Sequence, residues 1–142
     1  EEREIINRQL TPAPADVRRI ITRETIANAR KIISEIYIDD RTKEYILDIV
    51  FATREPEKYP ELGSEFARFI EVGASPRASI WLARAARAHA FLRGRGAVLP
   101  EDIKAIAPDI LRHRLIPTYE AEAENKTSDD LIEQVLDVVE IP

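Results

Sequence analysis

The sequence predicts an all-α helical bundle. Three observations carry that expectation. Apolar residues recur at three- and four-residue steps through most of the 142 residues. Residues that start and stop helices flank those stretches, as in Ser75-Pro76 before one and Gly94 after it. No stretch alternates for long enough to make a convincing strand, Ile36-Tyr37-Ile38 and Phe69–Val72 being the weak candidates.

The elements follow in order. Glu1–Gln9 puts acidic residues before Ile5-Ile6 and reads as the end of a helix truncated upstream. Thr11-Pro12-Ala13-Pro14-Ala15 then breaks the chain, because proline lacks a donor and restricts its neighbour. From Arg23 to Ile36, Ile26, Ala29, Ile33 and Ile36 keep helical spacing, with Thr22 placed to cap. Asp39 or Asp40 caps the next helix, whose face is Tyr45, Ile46, Ile49, Val50 and Ala52, and which ends before Pro56. Glu55–Gly63 is rich in turn formers, and Glu65–Ile70 reads as a short helical piece. The longest helix runs from Pro76 to about Arg93, with Ser75 as N-cap and Gly94 as the terminating glycine. Its alanines invite close neighbours, and Trp81 with the face around Ala85 is expected at the packing centre. A helix opens at Pro100-Glu101-Asp102 and continues to about Arg114, with a kink or break expected at Pro108. The last begins with the capping pattern Thr127-Ser128-Asp129-Asp130 and buries Leu131, Ile132, Val135, Leu136 and Val139.

Charge and composition narrow the function. The net charge is −5, which excludes a uniformly basic nucleic-acid binder, and no apolar run is long enough for a membrane span. There is no cysteine, hence no disulfide framework, thiolate metal site or cysteine nucleophile, which suits a cytoplasmic chain. There is no methionine either, and the chain opens Glu1-Glu2-Arg3, so it reads as a piece of something larger. The charge is uneven. Residues 75–116 carry eight basic and three acidic side chains, whereas residues 117–142 carry one basic and eight acidic. A localised anion site and differently charged solvated faces are both compatible with that asymmetry.

The chemistry that is missing matters as much. Neither a G-x-x-x-x-G-K-[ST] phosphate loop nor a G-x-G-x-x-G turn is present. Gly94-Arg95-Gly96 reads as a helix stop. His89 and His113 are too far apart for a helical ligand pair and read as packing or hydrogen-bonding residues, so no metal site is expected. Glu120, Glu122 and Glu124 alternate in what reads as a loop of solvated acid. A self-contained active site is not expected.

One residue breaks a local rule. Arg77 stands at the second position of the longest helix, where the helix dipole disfavours a cation by roughly 0.3–1 kcal/mol. Two readings follow: Arg77 pairs with a nearby acid such as Glu71, or free N–H groups and a guanidinium together face an anion such as a phosphate.

Gly73-Ala74-Ser75-Pro76-Arg77-Ala78 resembles the second-sensor motif of the MoxR family of AAA+ ATPases. The resemblance continues through Arg84-Ala85-Ala86-Arg87-Ala88-His89-Ala90, Gly94-Arg95-Gly96, Pro100-Glu101-Asp102-Ile103 and Leu111-Arg112-His113-Arg114-Leu115. Ala52-Thr53-Arg54 upstream and Tyr119-Glu120-Ala121-Glu122-Ala123 downstream extend it over roughly residues 23–142. It implies the C-terminal helical lid of an AAA+ ATPase, with residues 1–21 the tail of the nucleotide-binding core plus linker and 22–142 the lid. It implies that Arg77, with Ser75 and Pro76 beside it, reaches the γ-phosphate of ATP held with Mg in the intact parent, nothing being expected to bind this piece alone. It further implies the core domain as partner, a homo-oligomeric (hexameric) ring, von Willebrand factor A-domain proteins as further partners, and a chaperone-like or regulatory assembly role. Arg54, Arg112 and Arg114 are candidates to face the core or a neighbouring subunit, with plain surface pairing as the other reading. Leu99 departs from the family, which has Thr or a similar cap before Pro-Glu-Asp, and Glu55–Val72 is where such lids vary in length. A rival class is a helical interaction module whose basic 75–116 segment docks an acidic protein or nucleic acid.

Overall fold

The computed structural model describes residues 1–10 and 18–142. Helices dominate: α1 (Glu2–Leu10), α2 (Arg23–Glu35), α3 (Asp40–Arg54), α4 (Pro76–Leu92), α5 (Pro100–Leu111), α6 (Tyr119–Ala123) and α7 (Ser128–Val138). The contacts divide the chain into Glu1–Arg30 and Lys31–Pro142. The division falls inside α2. The proline-containing stretch 11–17 expected as a linker lies outside the described residues.

In the first unit, α1 carries an exposed Arg8–Glu4 ion pair at 3.0 Å. Thr22 caps α2 as expected, its Oγ1 accepting the Thr25 N–H at 3.1 Å. The expected face of α2 exists as a pattern, yet no residue of the helix is buried; Ile36, just beyond it, is.

The second unit is built around α4. Its buried residues are Ala78, Leu82, Ala86 and Ala90, a single i, i+4 row with nothing exposed. Three alanines in that row let neighbouring backbones come close, and α5 makes the most extensive contact with it, followed by α3. Trp81 is 45% exposed and Ala85 only half-buried, which corrects the packing centre expected from sequence. On a helix with apolar side chains around most of its circumference, the side that needs close approach takes the small residues and the indole is left outside.

Helix ends obey local chemistry. Asp39 caps α3 by accepting the Thr42 N–H at 2.7 Å. Thr127 and Asp130 cap α7 reciprocally. At the end of α4, the Arg95 N–H reaches the Ala90 carbonyl and the Gly94 N–H reaches that of Phe91, with Gly94 at φ 71°. This is the paired closure that a left-handed glycine permits. α5 passes through Pro108 without a break, and it stops at Leu111 rather than near Arg114.

Short pieces fill the α3–α4 connection: 3-10 turns at Pro56–Lys58, Pro60–Leu62 and Phe66–Phe69, then strand β1 (Ile70–Val72). β1 pairs antiparallel with β2 (Ile116–Pro117), and Tyr37 forms an isolated parallel bridge with Ala97. Both weak strand candidates therefore do pair, Phe69–Val72 through the short strand β1 and Ile36-Tyr37-Ile38 at Tyr37 alone. Glu120 and Glu122 lie in α6, not in a loop, while Glu124 follows it and pairs with Arg68 at 2.5 Å.

Candidate functional site

The base of α4 is seated on the end of α3. Thr53, buried, donates its hydroxyl to the Val50 carbonyl at 2.7 Å and accepts the Ala74 N–H at 3.0 Å. Gly73 lies so close that a Cβ there would sit 2.3 Å from the Thr53 carbonyl oxygen. Only glycine fits, and the chain is delivered to Ser75 from a fixed point.

Ser75 occupies the N-cap position with extended backbone, φ −73° and ψ 164°, but its side chain makes no capping bond, which corrects the expected hydroxyl cap. Its carbonyl instead accepts the Ala78 N–H at 2.8 Å. Pro76 has no donor to satisfy. Arg77 follows, exposed, and among the described residues it makes no hydrogen bond or ion pair. The pairing with Glu71 is not formed. α4 contains no acidic side chain at all.

The other arginines divide. Arg54 is exposed, its guanidinium 5.4 Å from the Phe51 ring centroid. Arg112 is engaged inside the fold: Nε donates to both carboxylate oxygens of Asp129 at 2.8 and 2.9 Å, and Nη1 to Asp109 at 3.3 Å. These bonds hold its proton above the ordinary arginine range. Arg114 is half-buried, and its Nε has no acceptor among the described residues. No hydrogen bond, ion pair or ring contact joins any of the three to Arg77 among the described residues.

Sequence reasoning missed one polar cluster. Asp102, wholly buried at the start of α5, accepts from Arg95 Nη2 at 2.5 Å and from the Leu99 N–H at 2.8 Å, and lies 2.6 Å from His89 Nδ1. A buried carboxylate needs such partners to satisfy its oxygens. Leu99 cannot cap by its side chain, so Asp102 supplies the half of the capping box that remains. The signal available was an acid three residues after a cap-less position, next to an otherwise unexplained Arg95. His113 is exposed, and among the described residues no group of three or more His, Cys, Asp or Glu side chains is placed to hold a metal ion.

A helical bundle opened by Gly-Ala-Ser-Pro-Arg, with a bare arginine at the head of its central helix, defines a class. Residues 65–135 match the AAA lid domain, and the chain belongs to that family. "Chaperone MoxR1" of Mycobacterium tuberculosis is 37% identical along the whole chain, which covers 37% of that protein. "Protein MoxR" of Paracoccus denitrificans is 41% identical over 58% of the chain and 25% of its own length. A crystal structure from Cytophaga hutchinsonii, which carries a provisional name as an ATPase, superposes with a TM-score of 0.89 at 42% identity, over 99% of this chain and 42% of that one. The MoxR resemblance carried by the motifs is thus met in these relatives, of whose length the chain spans well under half. No helix among the described residues is long and apolar enough to cross a membrane.

Proposed function

We propose that this chain is the lid of a MoxR-type AAA+ ATPase and that Arg77 is its second-sensor residue. The observation that carries the reading is the isolation of Arg77. An exposed guanidinium, unpaired among the described residues, stands at the positive end of a helix, on a base fixed by Gly73 and Thr53. Both positive features point to one ligand chemistry, an anion with several oxygens. ATP with Mg, held by a nucleotide-binding core, would supply it. Arg77 would place charge on the terminal phosphate, and the unengaged Ser75 hydroxyl stands beside it. Lid movement would then follow nucleotide state through the rigid α3–α4 junction.

A ring of such subunits, von Willebrand factor A-domain partners, a chaperone-like role and a cytoplasmic location belong to the same proposal. Residues 1–21 would join lid to core. The rival docking of an acidic partner by the 75–116 segment has less to work with, since Arg95 and Arg112 are already paired within the fold. Steady-state ATP turnover of the intact parent carrying Arg77→Ala tests the reading; normal turnover would overturn it.

A further inference from the structure

Acid is arranged, and not only abundant, where α3 meets the residues that follow α7. A cleft of about 400 Å³ opens there, lined by Glu44, Tyr45 and Asp48 on one side and by Glu140 and Ile141 on the other. Glu44 and Asp48 are exposed and stand one turn apart on α3, a spacing at which like charges repel. Across the cleft, Asp137 stands in the last turn of α7 and Glu140 just beyond it. A helix C-terminus is itself partly negative, yet the last turn of α7 holds no basic residue. Among the described residues none of these four carboxylates has an ion-pair partner, and Asp48 accepts only the Tyr59 hydroxyl at 3.3 Å. Arg41 lines one end of the cleft, but Asp39 at the cap of α3 already feels its charge. Tyr45 adds an independent observation. It lines the same cleft while only 2% exposed, and its hydroxyl has no hydrogen-bond partner among the described residues. A buried hydroxyl left unmatched is costly and calls for a partner from outside the fold.

We infer that this cleft is a binding site for a basic segment of a partner protein. Lysine or arginine heads meet Glu44, Asp48 and Glu140, and the Tyr45 hydroxyl accepts one of their N–H groups. Their methylene stems lie along Ile141, which is 52% exposed. The site does not depend on the role proposed for Arg77. Charge complementarity names the occupant: three carboxylates line the cleft against the single guanidinium of Arg41. A metal ion fits less well, since among the described residues no group of three or more His, Cys, Asp or Glu side chains is placed to hold one.

A fluorescein-labelled peptide carrying two lysines and two arginines, titrated with the chain and followed by anisotropy, tests the site. The peptide should bind, and more weakly as salt rises. Glu44→Gln combined with Asp48→Asn should weaken binding roughly tenfold, the effect of losing two ion pairs at a partly screened surface. Glu120→Gln combined with Glu122→Gln removes the same charge from α6, outside the lining of the cleft, and should change little. Tyr45→Phe should weaken binding several-fold while the melting temperature stays level or rises, because the hydroxyl it removes has no partner in the fold. Equal weakening by the two charge-removing pairs, or undiminished binding by Tyr45→Phe, would leave only a diffuse negative field and overturn the site. Failure of the folded chain to bind the peptide would overturn it as well. So would sedimentation showing dimers that Glu44→Gln with Asp48→Asn dissolves, since a second copy would then fill the cleft.

Discussion

Thr53 and Gly73 touch backbone to backbone: a side-chain carbon on Gly73 would lie 2.3 Å from the Thr53 carbonyl oxygen, while Thr53 Oγ1 holds the next N–H, that of Ala74, at 3.0 Å. The contact ties together two motifs twenty residues apart, Ala-Thr-Arg at the end of α3 and Gly-Ala-Ser-Pro-Arg at the start of α4. It fixes where α4 begins and therefore where Arg77 stands. Gly73→Ala must displace backbone rather than a flexible side chain, and is expected to cost about 1–3 kcal/mol. Thr53→Val leaves the Ala74 N–H buried without its acceptor, for a loss of about 1–3 kcal/mol. Thermal unfolding of the chain checks both, and an unchanged melting temperature in Gly73→Ala would contradict the close approach.

Asp102 joins α4, the α4–α5 turn and α5 through His89, Arg95 and the Leu99 N–H. Removing one partner of a buried ionic cluster typically costs about 3–5 kcal/mol. Asp102→Ala should fall at the lower end of that range, because Arg95 and His89 each keep roughly a quarter of their side-chain surface in water and can turn outward. Denaturant unfolding should register the loss, and a shift no larger than that of an exposed control away from the cluster, such as Glu133→Ala, would show the cluster to be incidental.

The alanine row on α4 makes a paired forecast. Ala86→Leu inserts volume where the helix has no exposed surface and should destabilise by roughly 1–3 kcal/mol. Ala85→Leu, on the half-buried flank, should cost clearly less. Equal losses at the two positions, measured by the same thermal melts, would mean that the packing centre is misplaced.

Acid sensitivity should include two helix starts, beside Glu55, which the Lys58 side chain holds below its ordinary value. Asp39 is held below the ordinary aspartate value of 3.8 chiefly by the Thr42 N–H, and Asp130 chiefly by the Thr127 hydroxyl. A carboxylate whose pKa is lower folded than unfolded adds stability that is full above the unfolded value and disappears as pH falls through the folded one. Both contributions should therefore hold near neutrality and fade on acidification below about 4. Melts across that range should show a shallower acid dependence in Asp39→Ala and Asp130→Ala than in the wild type; parallel curves would refute the assignment.

What was legible in the sequence was local. Caps, prolines and Gly94 act within a few residues, so the ends of α4 and α7 read directly from Gly94 and Thr127, and the start of α3 to within Asp39 or Asp40, of which the structure uses Asp39. The place of Arg77 read directly too, because Pro76 and the helix after it fix its position. Trp81 did not read correctly, since an alanine-rich helix gives periodicity too little contrast to tell its buried side from its open one. The Asp102 cluster was hidden for another reason. His89 and Asp102 are thirteen residues apart, and only the packing of α4 on α5 brings them together. That Arg77 has no ion pair among the described residues was equally out of reach, because Glu71 is close enough in sequence to have paired with it.

Arg77→Ala separates function from stability. It removes a cation that opposes the dipole of α4 and has no ion pair among the described residues, so the lid should melt at the same temperature or slightly higher. In the proposed parent ATPase, loss of a cation positioned on the terminal phosphate should lower turnover by on the order of 10²-fold, the scale of removing one preorganised donor from a developing charge. Arg77→Lys restores charge without the planar fork and should recover turnover only in part. An arginine kept for structure predicts the converse, a weakened lid and a normal rate in the enzyme that still folds. Thermal melts of the chain and steady-state ATPase rates of the parent, taken on the same two variants, distinguish the cases. Destabilisation with unchanged turnover would remove Arg77 from the nucleotide site.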